Sequence, residues 1–486
     1  MEQYDFIIIG AGLSGINAAY RLKTQLPECS YTILEARHEI GGTWSLFKFP
    51  GIRSDSDLTL FGFPWRPWLH DADMAGAHLI KEYIEDAARA EGIDEKIRLK
   101  HQVTAVSWSS AEQLWTVAVS ADGVAKEFKA RFLIAGSGYY SYANPLQTEI
   151  PGLENFKGTV AHPQFWPEDL DYANKKVVII GSGATAITMV PAMAEKAGHV
   201  TMLQRSPSYV LSLPLSDPAG RWIRKVFPER IAHSLNWWRC FLLEHLFVFF
   251  CITFPNLARK FLVNEMKKEL PPDVDADVHF NPKYDPFDQR LGICPDGDFF
   301  RALRRDNCDI VTDHIDTVTA DGILTRSGKK LDADIIVTAT GLHVHLLGGI
   351  TPIVDGRPVD LGSCYSWRGT MVTGVPNAGV IMGYTITSWT LGADSCVKLI
   401  IKLWKHMKKT GATSVVPVNA QSDLASSRPV VGHSSTYLVM AQGRLPRITG
   451  TSPWYGRTNT IYDHLKLWFG SVTKGLEYTY ASKKND

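Results

Sequence analysis

EQYDFIIIGAGLSGINAAY (residues 2–20) and KKVVIIGSGATAITMVPAM (residues 175–193) share one plan and decide the fold. In each, a β-branched run (Phe6 to Ile9, Val177 to Ile180) meets a glycine turn, and a helix-compatible stretch follows. The turns read Gly10-x-Gly12-x-x-Gly15 and Gly181-x-Gly183-x-x-Ala186. A dinucleotide pyrophosphate requires this order of strand, tight turn and helix. Missing side chains let the backbone approach the phosphates, and free N–H groups at the helix start face their charge. One such turn is weak grounds; two in the same context are hard to explain otherwise.

The residues after each turn separate the two sites. Past the first, the apolar run Tyr31 to Leu34 ends in Glu35, at the spacing where a carboxylate meets ribose hydroxyls. Past the second, Val200 to Leu203 ends in Gln204, Arg205 and Ser206. An acid there would repel a 2′-phosphate, whereas Arg205 can hold one with Ser206 assisting. The first site therefore suits an adenosine with free ribose hydroxyls, and the second suits NADPH.

The chain of 486 residues is 45% hydrophobic and 21% charged, enough for two or three domains with real cores. A net charge of +1 gives no field that would draw nucleic acid. Its seven cysteines include no Cys-x-x-Cys, so the redox-active pair of disulfide-reducing two-dinucleotide enzymes is missing. Scattered thiols, with the first glycine turn at Gly10, lead us to expect a reducing, cytoplasmic setting. His343 and His345 lack an evident third ligand, and no metal is expected.

An α/β fold with two Rossmann-like dinucleotide-binding domains and a helical insertion is expected. The first domain covers 1–145, the second 146–330 with its insertion at about 215–285, and 331–486 returns to complete the first. The strand-like ADIIVTATG (333–341) marks the return. The insertion contains Arg221 to Leu270, whose apolar centre, Cys240 to Phe254, is interrupted by Glu244 and His245 and edged by basic residues. It is too short to span a bilayer. It reads either as helices forming a greasy substrate channel, the favoured reading, or as a peripheral membrane contact; the two are compatible.

Two further motifs point to the chemistry. GGTWSLFKFPGIRSDSD (41–57) fits G-G-x-W-x-x-x-x-F-P-G-x-x-x-D, and FKGTVAHPQFWP (156–167) fits F-x-G-x-x-x-H-x-x-x-W-P. With these in order, nearly the whole chain resembles the class B flavoprotein monooxygenases, and among them the Baeyer–Villiger monooxygenases, which carry the tryptophan seen at Trp166. RSDSD (53–57) and DPFDQRLGICPDGDFF (285–300) resemble the ethionamide-activating branch, and flavin hydroxylases of long alkanes are similar.

The resemblance implies FAD and NADP as cofactors and an NADPH- and O2-dependent oxidation of an apolar ketone to an ester or lactone, with sulfides as further substrates. By position, Gly10, Gly12, Ser14, Gly15, Glu35, Thr43, Trp44 and Asp55 fall to FAD, with the Val103 backbone near its adenine. Gly181, Gly183, Ala184, Thr185, Ala186, Arg205 and Ser206 fall to NADP, and Arg53 and Ser54 lie between the cofactors. The family arginine that stabilises the oxygenated flavin corresponds to Arg290, with Asp55 to steady it. A permanent cation suits that task, since a dry pocket magnifies its field on an oxyanion. Gln289 stands where the family often has lysine, removing one cationic contact from NADP, and Phe49 replaces the usual tyrosine. His162 reads as structural. Hydroxylation of amines, sulfides or long alkanes is the competing reaction, and a non-catalytic flavoprotein is disfavoured by the paired turns and Arg290. Pocket walls are expected from Arg221 to Leu270, Ser363 to Trp367 and Thr385 to Leu391.

Overall fold

Each apolar run beside a glycine turn forms the core strand of its own parallel sheet. The computed structural model describes residues 1–418, 427–457 and 459–480. The stretches 419–426 and 481–486 and Thr458, all within the expected 331–486 segment, lie outside the described residues.

In the first unit, strand Glu2–Ile9 lies parallel between Tyr31–Leu34 and Val124–Ala135. Burial on both faces explains why Phe6 to Ile9 reads as an unbroken apolar run rather than an alternation. Val124–Ala135 divides its pairing. Its first half runs antiparallel to Leu114–Ala121, and its last residues lie parallel to Ala378–Val380. His101–Ser109 and Leu114–Ala121 alternate buried and accessible positions, as a hairpin covered on one face should. Ile353–Val354 adds to the far side of this hairpin, so the chain beyond residue 341 does rejoin the first sheet.

The second unit is a five-stranded parallel sheet in the order Cys308–Thr312, His199–Gln204, Lys176–Ile180, Ile335–Thr338, Thr159–Ala161. The late strand from ADIIVTATG thus sits inside this sheet before the chain leaves it. Between the units, the loop after the GGTW motif packs on helix Ala184–Ala194. A Cβ at Gly51 (φ +78°) would lie 2.8 Å from both Thr188 O and the Ala192 side chain, so only glycine permits the approach.

The insertion is helical: Pro218–Val226, Glu229–Thr253 and Pro255–Glu269. Asp217 caps the first helix by accepting from Ala219 N, with Pro218 in the first turn. The inner face of Glu229–Thr253 is held by polar contacts. Asn236 Nδ2 donates to Gly220 O (3.1 Å), Cys240 Sγ to Asp57 Oδ2 (3.3 Å), and Glu244 Oε1 accepts from Ser388 N (2.9 Å).

Candidate active site

The two glycine turns have nearly the same backbone. Gly12 caps helix Leu13–Gln25 at φ/ψ −84°/−170°, and Gly183 caps helix Ala184–Ala194 at −83°/−178°. Gly10 N donates to Leu34 O (2.8 Å) and Gly181 N to Leu203 O (2.9 Å), tying each turn to the neighbouring strand. Gly15 and Gly181 serve packing: an added Cβ would stand 1.9 Å from Gly10 O and 2.3 Å from Ala339 O respectively. Beyond Gly183 the space is open, with nothing within 4 Å of an added Cβ.

A cavity of about 610 Å³ lies along the first turn and opens against the second. That volume is ordinary for a cofactor site, roughly 300–1,000 Å³. Its wall includes Gly10, Gly12, Ser14, Glu35, Thr43, Trp44, Arg53, Ser54, Asp55 and Val103 from the first unit. Ala184, Thr185 and Arg290 join them from the second. Gly15, Gly181, Gly183, Ala186, Arg205 and Ser206 stand outside this wall. Ala186 is buried in the helix packing, and Arg205 and Ser206 are exposed at the end of strand His199–Gln204.

The chemistry-bearing side chains are fixed by several elements. Glu35 Oε2 accepts from Ala11 N (2.7 Å) and Oε1 from Arg37 N (2.9 Å), which locks the carboxylate beside the first turn. Each oxygen retains acceptor capacity for a ribose hydroxyl. Ser14 Oγ accepts from Trp389 Nε1 (3.2 Å), and Trp389 stacks on Tyr139 at 4.9 Å. Arg53 forms a two-pronged ion pair with Asp298, its second bond 3.2 Å. Ser54 Oγ donates to Ser56 O (2.9 Å).

Arg290 Nη2 donates to Asp55 Oδ1 at 3.1 Å, joining the two units across the cavity. Its position is set from both sides. Asp288 O accepts from Ser434 N (2.9 Å), and the strand Gly292–Pro295 begins two residues on, paired with Val210–Leu213. The Asp55 charge beside it holds the half-accessible Arg290 guanidinium above its usual range. Burial raises the Tyr140 and Tyr437 hydroxyls in turn, so these stay neutral around the cation. Helix Thr436–Val439 links two cations: Thr436 Oγ1 accepts from Arg205 Nη2 (3.0 Å), and Tyr437 is close enough to Arg290 to feel its charge.

Several expectations need correction or addition. The cavity wall takes nothing from Arg221 to Leu270 or Ser363 to Trp367, and only Trp389 from Thr385 to Leu391. The inner face of the long helix is occupied by its bonds to Asp57, Gly220 and Ser388 instead. Tyr139, Tyr140, Tyr142 and Trp389 line the cavity without having been singled out. The aromatic cluster after the FLIAGSG strand, GYYSYAN (138–144), was the available signal for the first three. His162 Nδ1 accepts from Gln164 N (3.2 Å) and caps a short turn, consistent with a structural role.

The residues present fit two dinucleotides. Both turns expose helix N-termini, and Ser137 Oγ and Arg53 Nε on the cavity wall are buried polar atoms without a protein partner. Comparison with known proteins agrees. A family described as pyridine nucleotide-disulphide oxidoreductase matches residues 7–233. The FAD-containing monooxygenase EthA of Mycolicibacterium smegmatis is 43% identical over 480 residues, 98% of this chain and 97% of its own length.

This chain belongs to the FAD-containing monooxygenases.

It is therefore a flavoprotein with FAD as its cofactor. An oxidised steroid monooxygenase bound to NADP superposes with a TM-score of 0.76 at 22% identity, covering 98% of this chain and all of that one (100%). Cyclohexanone monooxygenase with bound ε-caprolactone gives 0.77 at 20% identity, covering 99% of this chain and 100% of that one. The match to a disulphide-oxidoreductase family reflects the shared pair of dinucleotide turns, for all seven cysteines are free and buried.

Proposed function

We propose that this monooxygenase carries out Baeyer–Villiger oxidation, taking an apolar ketone, O2 and NADPH to an ester or lactone, water and NADP, with sulfoxidation of sulfides as a further activity. The observation that carries this reading is the Arg290–Asp55 pair, which sets a permanent cation in the wall of the cavity that Gly10 and Gly12 line from the first turn and Ala184 and Thr185 from the start of the second helix.

FAD, reduced by NADPH, supplies the activation of O2. The protein's part is binding, placement and charge. Gly10, Gly12, Ser14 and the N-terminus of helix Leu13–Gln25 would take the FAD pyrophosphate, Glu35 its ribose and the Val103 backbone its adenine. Gly15 lets the helix approach the turn. Thr43, Trp44 and Asp55 would flank the rest of FAD, and Arg53 and Ser54 the space between the cofactors. Gly181, Gly183, Ala184, Thr185 and Ala186 would take the NADP pyrophosphate, and Arg205 with Ser206 the 2′-phosphate. Arg290 would stabilise negative charge on oxygen as the ketone carbonyl is attacked, the typical use of a fixed donor in a water-poor site. Tyr140 and Tyr437, raised by burial, stay neutral beside it and leave Asp55 as its ion-pair partner. The lactone held by the cyclohexanone monooxygenase neighbour is a product of this reaction class and supports it.

The test is product analysis: purified flavoprotein, NADPH and a panel of apolar ketones. Ester or lactone formed in step with NADPH consumption is expected. NADPH consumption with no ester from any ketone, together with hydroxylation of an amine or an alkane, would overturn the reading.

A further inference from the structure

Helix Glu229–Thr253 is the one helix among the described residues both long and apolar enough to cross a bilayer. Its packing excludes that use. Cys240 and Glu244 are bonded to Asp57 and Ser388 in the body of the protein and Asn236 to Gly220 of the preceding helix, so this side of the helix cannot face lipid. The opposite side has no partner. Ile231, Leu235, Trp238, Leu242, Phe249 and Ile252 recur at helical spacing, and all are exposed, Trp238 at 63% and Phe249 at 61%. An amphipathic helix ordinarily turns its apolar stripe inward; this one buries its polar groups and presents the stripe outward.

A second helix does the same beside it. Ile461, Leu465, Trp468 and Phe469 on Thr460–Phe469 are exposed, Phe469 at 83%. Both helices anchor on one short stretch, Glu244 of the first accepting from Ser388 N (2.9 Å) and Asp463 of the second from the Tyr384 hydroxyl (2.7 Å). The two apolar rows are therefore neighbours. Monomeric soluble proteins rarely leave so large a contiguous patch uncovered.

The charges around the patch identify what covers it. Over residues 218–261 the exposed ionic side chains are Arg221, Lys225, Arg230 and Lys260, against Glu229 alone. A second copy of the chain docked face to face would bring two basic rims together. An anionic lipid leaflet neutralises the rim while its acyl region accepts the apolar rows, and exposed tryptophans suit the boundary between them.

We propose that helices Glu229–Thr253 and Thr460–Phe469 form a monotopic docking surface that lies in the headgroup–acyl boundary of an anionic phospholipid bilayer. The docking is independent of the substrate reading; only its use, access to an apolar substrate dissolved in the bilayer, rests on that reading.

The test uses the FAD-loaded protein and vesicles of phosphatidylcholine alone or mixed with phosphatidylglycerol. Sedimentation with the mixed vesicles is expected, weaker with phosphatidylcholine alone and weakened by salt. Replacing the exposed Trp238, Leu242 and Phe249 together (W238E, L242E, F249E) should lower vesicle partition by about tenfold or more. FAD content and NADPH oxidation with a water-soluble ketone should stay unchanged, so loss of docking and loss of the proposed reaction are read separately. Should that variant fail to fold, vesicles of brominated lipid should quench tryptophan fluorescence of the unmodified protein. No sedimentation and no quenching would overturn the proposal. So would vesicle binding unchanged by the substitutions, or a dimer in solution that the substitutions dissociate while vesicles are ignored.

Discussion

Arg290→Ala should cost the attraction of the guanidinium and leave the repulsion from Asp55, present in the parent as well, unopposed. The guanidinium Nη2 lies 3.1 Å from Asp55 Oδ1, and both residues line the cavity. An oxyanion accepting from Arg290 at about 3 Å would sit about 6 Å from that carboxylate. At an effective dielectric of about 20, the attraction is about 5 kcal/mol and the opposing repulsion about 3 kcal/mol. Half of the Arg290 side chain is accessible, so screening reduces these to about 3 and 1.5 kcal/mol. The first figure is in the range found for single oxyanion donors in other enzymes. Arg290→Ala alone should thus lower the rate of ester formation by about 10²-fold. Arg290→Ala combined with Asp55→Asn removes the uncovered anion and should recover about tenfold over the single variant. The assay is ester formed per NADPH consumed, with flavin absorbance checking that FAD remains bound. A double variant no faster than Arg290→Ala, or an Arg290→Ala enzyme within threefold of the parent, would refute the reasoning.

Four other outcomes follow from the same geometry. Arg205→Ala should raise the KM for NADPH by about 10- to 100-fold with little change for NADH, since one bidentate phosphate partner is lost; steady-state kinetics with both coenzymes checks this. Gly15→Ala should yield protein without bound FAD, because its Cβ would stand 1.9 Å from Gly10 O, and flavin absorbance after purification reads the loss. Arg457 and Asp463 form an ion pair at 3.0 Å, with side chains 6% and 1% exposed, and Arg457 also reaches Thr370 Oγ1 (2.7 Å). Arg457→Met should cost about 3–5 kcal/mol by leaving Asp463 charged and buried, measured by denaturant unfolding. Burial pushes Glu244 up from 4.5 to about 7, so the folded state binds the extra proton and stability falls as pH rises from about 4.5 to 7. Glu244→Gln should flatten that fall in Tm by up to about 3 kcal/mol equivalent, leaving a smaller slope of the same sign from Asp73, itself raised by burial to about 6.

How far the sequence could be read depended on the range of the interactions. Gly10 to Gly15, Glu35 and Gly181 to Ala186 were legible because a turn, its strand and its helix are contiguous, and steric needs within about thirty residues leave a spacing pattern. Arg290 was found only through a family motif; nothing local distinguishes it from an exposed cation, and its meaning comes from Asp55, 235 positions away. The partners Asp298 for Arg53 and Trp389 for Ser14 escaped notice for the same reason. The strand Ile335–Thr338 was recognised, but its place inside the second sheet was not, since the short strands of a five-stranded parallel sheet carry no local sign of their order. The long insertion misled most. Its apolar residues suggested a cavity wall, whereas the polar Asn236, Cys240 and Glu244 do the docking and the apolar row faces outward.

The position of Ile335–Thr338 also governs how the molecule can be made. Lys176–Ile180 and Thr159–Ala161 have this strand as their common neighbour, so the nascent second sheet has a vacant slot until more than 330 residues have left the ribosome. The first sheet waits longer still, for Ala378–Val380 to reach the edge of Val124–Ala135. The second sheet can therefore close ahead of the first, and unpaired apolar edges stay open to chaperones through most of synthesis.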